Sequence, residues 1–296
     1  MDFLPNEAQQ ELSALSRRIL TQRATPERLR EIEAAGDRFD PALWADLARA
    51  GILAAALPES LGGAGLGLLE QCSILAEIGR TVAPAPYLAS IVLGAGALAR
   101  FGTPDQQNRW AGPAGRGELI LTAALSEEDG DDPRAPAARA EYAAGRWLLS
   151  GVKTAVLAAP RAGLMLVPAA TPHGVIVFLV APADDGVTVQ RQELTDVDSA
   201  ARLVLADVAL PDDRVLGSPG AGAEITDWLV SRGTVGLCAL QLGVVERALE
   251  LTSEYAQSRV QFGRPIGSFQ AVAQRLADAY IDVEAVRLTM WQAAWR

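Results

Sequence analysis

The residues best suited to chemistry lie in one stretch, from Tyr255 to Leu276. A helical pattern carrying Leu249, Leu251 and Tyr255 runs out at Ser258 and Arg259. Gly263 relaxes the backbone and Pro265 biases its predecessor away from helix, so the chain turns there. Ser268 is the N-cap candidate for a second helix, marked by Phe269, Val272, Leu276, Ala279 and Tyr280. The turn gathers Arg259, Phe262, Arg264 and Gln270 at one corner. A guanidinium, an aromatic face and an amide beside a helix start suit a nucleotide diphosphate. The same residues also make an ordinary helix corner with a solvated Arg, and spacing alone leaves both readings open.

Other chemistries have less to stand on. His173 is the single histidine in 296 residues and sits in the turn Thr171-Pro172-His173-Gly174. That argues against a Ser-His-Asp or Cys-His site and against a His-rich zinc or iron centre, so no metal is expected. Cys72 and Cys238 have no CxxC spacing and read as two buried thiols in a reducing, cytoplasmic setting. A net charge of −10 and a pI near 4.8 argue against nucleic acid as a partner. A local cluster can still hold an anion, and Arg232, Arg247, Arg259, Arg264 and Arg275 supply one in the last third. Half the residues are hydrophobic, yet no apolar run reads as long and uninterrupted enough to span a bilayer. Met1 to Glu7 shows no basic n-region or apolar h-region, so no signal peptide is expected.

The elements that must position these residues fall into three parts, giving an α+β multidomain class. Residues 1–117 read as an all-helical domain, with Leu12, Leu15, Ile19, Leu43, Leu47 and Ile52 at or near helical spacing and Pro26 and Pro41 at helix starts. Gly94-Ala95-Gly96-Ala97-Leu98-Ala99 fits a loose G-x-G-x-x-A dinucleotide fingerprint, but a long helical region precedes it, and small residues on an apolar helix make the same letters. Residues 118–217 change period. Short β-rich runs such as Leu164 to Val167 and Val175 to Val180 are separated by turns such as Ala144-Gly145 and Asp184-Asp185-Gly186, which predicts a middle β-barrel domain. Asp129 to Ala138 reads as a loop. Residues 218–296 return to helix, from Ala223 to the Arg259 corner and again from Phe269 to Trp295. Two helices cannot bury all their apolar faces, so Leu288, Met290, Trp291 and Trp295 ask for further helices.

The order Arg259-x-x-Phe262-Gly263-x-Pro265-Ile266-x-x-Phe269-Gln270 resembles the signature of the acyl-CoA dehydrogenase family. The resemblance implies that Arg259, Phe262 and Gln270 hold the diphosphate and adenine end of an FAD bound mainly by the neighbouring subunit. Weaker matches run along most of the chain. Pro58-Glu59-Ser60-Leu61-Gly62-Gly63-Ala64-Gly65 resembles a family loop. Ala124-Leu125-Ser126-Glu127-Glu128 resembles the strand that hydrogen-bonds the flavin ring, which implies Leu125 and Ser126 as flavin contacts. Ser150-Gly151-Val152-Lys153-Thr154 resembles the Asn-Gly-x-Lys hairpin. Arg232 matches a family Arg near the substrate. The family further implies an acyl-CoA substrate, α,β-dehydrogenation, an electron-transfer flavoprotein as acceptor, and a homo- or hetero-oligomer.

The chain departs from the pattern where the reaction needs most. The chemistry takes a hydride acceptor on one face of the acyl thioester, a carboxylate base on the other, and donors for the enolate oxygen. One family position for the glutamate base, immediately before Arg232, holds Ser231 here, and the other lies beyond residue 296. No catalytic residue is therefore assigned. The aromatic and hydroxyl residues that flank the flavin after Gly-x-Lys are Ala155 and Leu157, and Gly130-Asp131-Asp132 stands where Gly-Ser-Asp is usual. These departures are similar to those of the unequal subunits of actinobacterial steroid-side-chain enzymes, which form heterotetramers. The expectation is a subunit of an FAD-dependent acyl-CoA dehydrogenase in lipid or sterol catabolism. The alternatives are a catalytically silent partner subunit and a flavin oxidase or monooxygenase on the same fold.

Overall fold

The computed structural model describes residues 7–295 apart from Asp37, Asp129 and Asp131. The expectations placed on Met1 to Asn6, Asp129 and Asp131 lie outside the described residues. Helices α1 (Glu7–Arg23), α2 (Pro26–Ala34), α3 (Pro41–Arg49) and α4 (Leu68–Thr81) come first, with Pro26 and Pro41 opening α2 and α3 as expected. Asp40 caps α3, its carboxylate accepting the Ala42 N–H at 3.0 Å and the Leu43 N–H at 3.4 Å. Ile52 lies past the end of α3 in a run of turns, yet it is fully buried. A π-helical segment, Leu88–Ala95, runs into α5 (Gly96–Phe101), so Gly94 and Gly96 lie inside a helix. α6 (Pro104–Gln106), a second π turn and α7 (Gly112–Gly115) complete the region.

The middle region is an eight-stranded sheet. Its strands are β1 (Leu121–Ala123), β2 (Arg139–Ala143), β3 (Arg146–Leu157), β4 (Leu164–Thr171), β5 (Gly174–Val180), β6 (Val187–Glu193), β7 (Ser199–Leu210) and β8 (Val215–Leu216). They follow the order β6-β7-β3-β2-β4-β5-β8, and β1 joins parallel to β4. Leu149, Val156, Met165, Phe178, Leu203 and Val208 form the centre of its apolar core. β2 escaped the sequence reading because Arg-Ala-Glu-Tyr-Ala buries only Ala140. It is a strand by virtue of its hairpin with β3, whose turn residues Ala144 and Gly145 have φ of 51° and 78°.

The chain ends in α8 (Gly222–Ser258), the two-residue strands β9 (Val260–Gln261) and β10 (Arg264–Pro265), and α9 (Gln270–Trp295). Two compact units result. One holds Pro26–Leu66 and Pro84–Thr234, and therefore the sheet and the first turns of α8. The other holds Met1–Thr25, Gly67–Ala83 and Val235–Arg296. In this second unit α1 is tied to α4 by Arg17 and Glu77 at 2.7 Å and by Gln9 and Glu70 at 3.0 Å. α4 meets α8 backbone to backbone. A Cβ on Gly79 would stand 2.0 Å from the Leu240 carbonyl oxygen, and one on Gly243 would stand 1.8 Å from that of Ala76.

Several expectations need correction. Cys238 is exposed on α8, since it projects from the helix away from α4; only Cys72 is buried. Met290 is 3% exposed, already covered within its unit, whereas Leu288 and Trp295 remain 44% and 63% exposed. α8 is long and apolar enough to cross a membrane by length and composition, because its Leu, Val, Ala and Gly residues outnumber its charges over 18 residues. The same small and aliphatic residues are what its close packing against α4 requires.

Replacing Gly243 by Ala forces the α4 and α8 backbones apart. The expected cost is about 1–3 kcal/mol of stability, the usual size of overpacking. A urea titration of Gly243→Ala beside the parent chain checks it, and an unchanged midpoint contradicts the close approach.

Candidate functional site

The corner that opened the sequence reading is a miniature hairpin. α8 stops at Ser258, and β9 and β10 pair antiparallel through Gln261 and Arg264. The turn residues Phe262 and Gly263 have φ of 53° and 76°, the left-handed pair of a two-residue hairpin. Gly263 takes that conformation freely, while Phe262 takes it at a steric cost. The Ile266 N–H closes the loop on the Arg259 carbonyl at 2.8 Å. Ser268 does not cap α9. Its hydroxyl donates to the Pro265 carbonyl at 2.7 Å inside a 3₁₀ turn, and α9 begins at Gln270.

The side chains of this corner face outward. Phe262 is 92% exposed and meets Phe269 edge-on, with ring centroids 6.2 Å apart. The Arg264 guanidinium lies 4.2 Å over the Phe269 ring. Arg259 and Gln270 are exposed. The five-Arg cluster read from the sequence does not form as one group. Arg247 is neutralised by Glu250 at 3.0 Å, and Arg232 lies in the other compact unit. At the corner itself stand the guanidiniums of Arg259 and Arg264, two rings and an amide at a helix start, with Arg275 exposed further along α9; the corner set matches an anion attached to a planar ring.

In the unit that contains the sheet, the segment after β1 is fastened by a buried ion pair. Lys153, the only lysine, is fully buried, and its ammonium meets Glu127 at 2.6 Å. Glu127 also accepts the N–H groups of Ala137 and Ala138, the latter at 3.0 Å. Burial pushes the Glu127 carboxyl up, but Lys153 and the two N–H groups outweigh it and hold the carboxyl below its usual range. Burial in turn lowers the Lys153 pKa against the pull of Glu127. The Thr154 N–H donates to the Ser126 carbonyl at 2.9 Å, and Arg202 on β7 reaches Glu128 at 2.6 Å. Leu125 is half-buried and Ser126 exposed on this fastened segment. Two motif blocks from distant parts of the sequence are thus one structural piece. The pairing of Glu127 with Lys153 went unread, although a lone Lys inside a β-rich run is the signal for it. Gln192 and Arg202, which complete the neighbourhood, carried no signal at all.

On the first turns of α8, Arg232 stacks 5.3 Å over the Trp228 ring. Ser231 beside it is exposed. Asp227, one helical turn earlier, is taken by Arg134 in an ion pair. No free carboxylate therefore stands next to Arg232 on its own helix.

Comparison with known proteins gives a consistent answer. The family description "Acyl-CoA dehydrogenase, N-terminal domain" matches residues 6–118, and "Acyl-CoA dehydrogenase, C-terminal domain" matches residues 220–296. Acyl-CoA dehydrogenase FadE27 of Mycobacterium tuberculosis is 47% identical over 296 residues, which is 100% of this chain and 77% of that protein. Among solved structures, the ChsE4-ChsE5 complex from Mycobacterium tuberculosis superposes with a TM-score of 0.94 at 47% identity, covering 100% of this chain and 79% of that one. A variant of the Tcur3481-Tcur3483 steroid ACAD gives 0.90 at 42% identity, covering 97% and 77%.

Lys153→Met leaves Glu127 buried without its counter-charge and should cost about 3–5 kcal/mol. The double variant Lys153→Met with Glu127→Gln removes both charges and should recover most of that loss. Because the Glu127 pKa is depressed in the folded state, its stabilisation is present above the unfolded value of about 4.3 and drains away as pH falls below it. The double variant should therefore lose less stability than the parent between neutral pH and acid, measured by thermal melts across that range.

Proposed function

The chain belongs to the acyl-CoA dehydrogenase family of FAD-dependent oxidoreductases, and we propose that it is the subunit of a heteromeric acyl-CoA dehydrogenase that lends its Arg259 corner to an FAD seated on a partner. The observation that carries this is the corner itself. Phe262 is 92% exposed, and Arg259 faces solvent beside it, on a chain whose own candidate base position holds Ser231. A large ring held outward in a strained conformation is explained by something that covers it.

Bound FAD supplies the acceptor for a hydride taken from the β-carbon of an acyl thioester. This chain's residues do the rest of their work in binding. Arg259 offers planar, charge-assisted donors to a diphosphate. Phe262 presents a ring face, and Gln270 places an amide at the start of α9, where unpaired N–H groups favour an anion. Arg232, held over Trp228, is the cation this chain brings to the acyl-CoA side. Leu125 and Ser126 are the residues that resemble flavin contacts, on the segment fastened by Glu127 and Lys153. The stretch of α8 before Arg232 does not supply the carboxylate base, because Ser231 has no basic group and Asp227 is occupied by Arg134.

The substrate class we assign is a sterol-derived acyl-CoA. One relative supports it: a structure at 42% identity described as a steroid ACAD. The name ChsE4-ChsE5 is that of a complex of two different chains, which supports a heteromeric assembly for this one. Electron-transfer flavoprotein is the proposed acceptor, and the cytoplasm the proposed location.

Two outcomes are expected with the chain co-produced with a full-length acyl-CoA dehydrogenase partner. Arg259→Ala should weaken FAD binding roughly 10- to 100-fold, the size of one charge-assisted hydrogen bond, with far-ultraviolet circular dichroism unchanged. Visible absorbance of the desalted complex reads this directly, and full flavin content in the variant contradicts the corner assignment. The pure chain with an artificial electron acceptor should show no dehydrogenation of acyl-CoA, since a missing general base removes about two to four orders of magnitude. Ordinary turnover by the pure chain contradicts the division of labour.

A further inference from the structure

We propose that Gln192 closes this chain's own β3 bulge, so that no isoalloxazine ring seats against it. The inference deepens the reading above and rests on it at one point: the segment after Gly151-Val152-Lys153 is where the family resemblance puts the ring.

The bulge is plain in the pairing of β3 with β7. Lys153 pairs with Leu203 and Val156 with Ala201, so Thr154 and Ala155 together face Arg202 alone. The extra residue swings Ala155 to φ 48° and takes its N–H out of the ladder. A freed N–H at a strand bulge is the kind of donor a ring carbonyl would use. Here it is already used. Gln192, on β6, accepts the Ala155 N–H through Oε1 at 2.8 Å. Its Nε2 donates to the Thr154 hydroxyl oxygen at 3.0 Å. A carboxamide carries one acceptor and two donors, so a single side chain satisfies a backbone N–H and a hydroxyl together.

Two further polar groups of the segment are also committed. The Thr154 N–H goes to the Ser126 carbonyl at 2.9 Å, and the Leu157 carbonyl accepts the Thr122 hydroxyl at 2.6 Å. The side chains left over are those of Ala155 and Leu157, which neither donate nor accept. A ring entering here has to displace the Gln192 amide and gains no more hydrogen bonds than it breaks. The residues present do not fit a flavin ring, and the misfit has a named cause.

Lumiflavin, the isoalloxazine ring without a diphosphate, separates this site from the corner. Titrated into the full chain, it should keep its free fluorescence. Gln192→Ala frees the Ala155 N–H and should give saturable quenching, with affinity raised about tenfold, the worth of one neutral hydrogen bond. Gln192→Asn, which withdraws the amide by one methylene while keeping its polarity, should do the same and covers the case in which the Ala variant fails to fold. Saturable one-to-one quenching by the parent chain overturns the proposal, and so does the absence of any gain in folded Gln192→Ala or Gln192→Asn. Arg259→Ala should leave every lumiflavin result untouched. Loss of the corner reading would therefore show only in the FAD content of the complex, and loss of this one only in the lumiflavin titration.

Discussion

A buried ammonium cannot be left alone, and in this chain it has one carboxylate to meet. Lys153 sits inside the sheet with no solvent contact, so Glu127 must come to it. Bringing Glu127 there lays the segment after β1 against β3 and lets the Ser126 carbonyl take the Thr154 N–H. The second oxygen and the remaining lone pairs of Glu127 draw in the N–H groups of Ala137 and Ala138, just where β2 begins. One ion pair thus fixes both ends of the connection between β1 and β2, and through Thr154 it fixes the start of the bulge. Most of what is specific about this β domain is downstream of that requirement.

The two functional regions solve opposite problems. The corner after α8 holds its ring and cations outward, with their binding capacity unspent. Strand β3 holds the Lys153 ammonium, the Ala155 N–H and the Thr154 hydroxyl bonded to other groups of the same chain. Beside Arg232, Asp227 serves as a structural partner for Arg134.

Much of this could be read from the letters because the relevant physics is local. Pro26 and Pro41 open helices, and Gly263 with Pro265 ends α8 and turns the chain, wherever they occur in such a pattern. The change from helical to strand period near residue 118 needed no tertiary information. What escaped depends on distant partners. β2 is a strand because β3 holds it, not because Arg-Ala-Glu-Tyr-Ala favours one. Ser268 found a carbonyl three residues back and so was lost as a cap. The exposure of Cys238 follows from which face of α8 meets α4. Gln192 acquires its role only when β6 lies beside a bulge two strands away in the sheet order.

The backbone at Ala155 also limits which side chains that position can hold. Alanine tolerates φ near 48°, but a bulky aromatic placed there meets a cost of about 1–3 kcal/mol from its own backbone geometry. Restoring a family-like aromatic by one codon change would place a large ring on a left-handed residue whose N–H is already engaged by Gln192. The ladder would have to be re-registered and the amide released before the substitution brought any advantage. Each of those steps taken alone is a loss. The bulge therefore restricts position 155 to small side chains for as long as Gln192 holds its N–H.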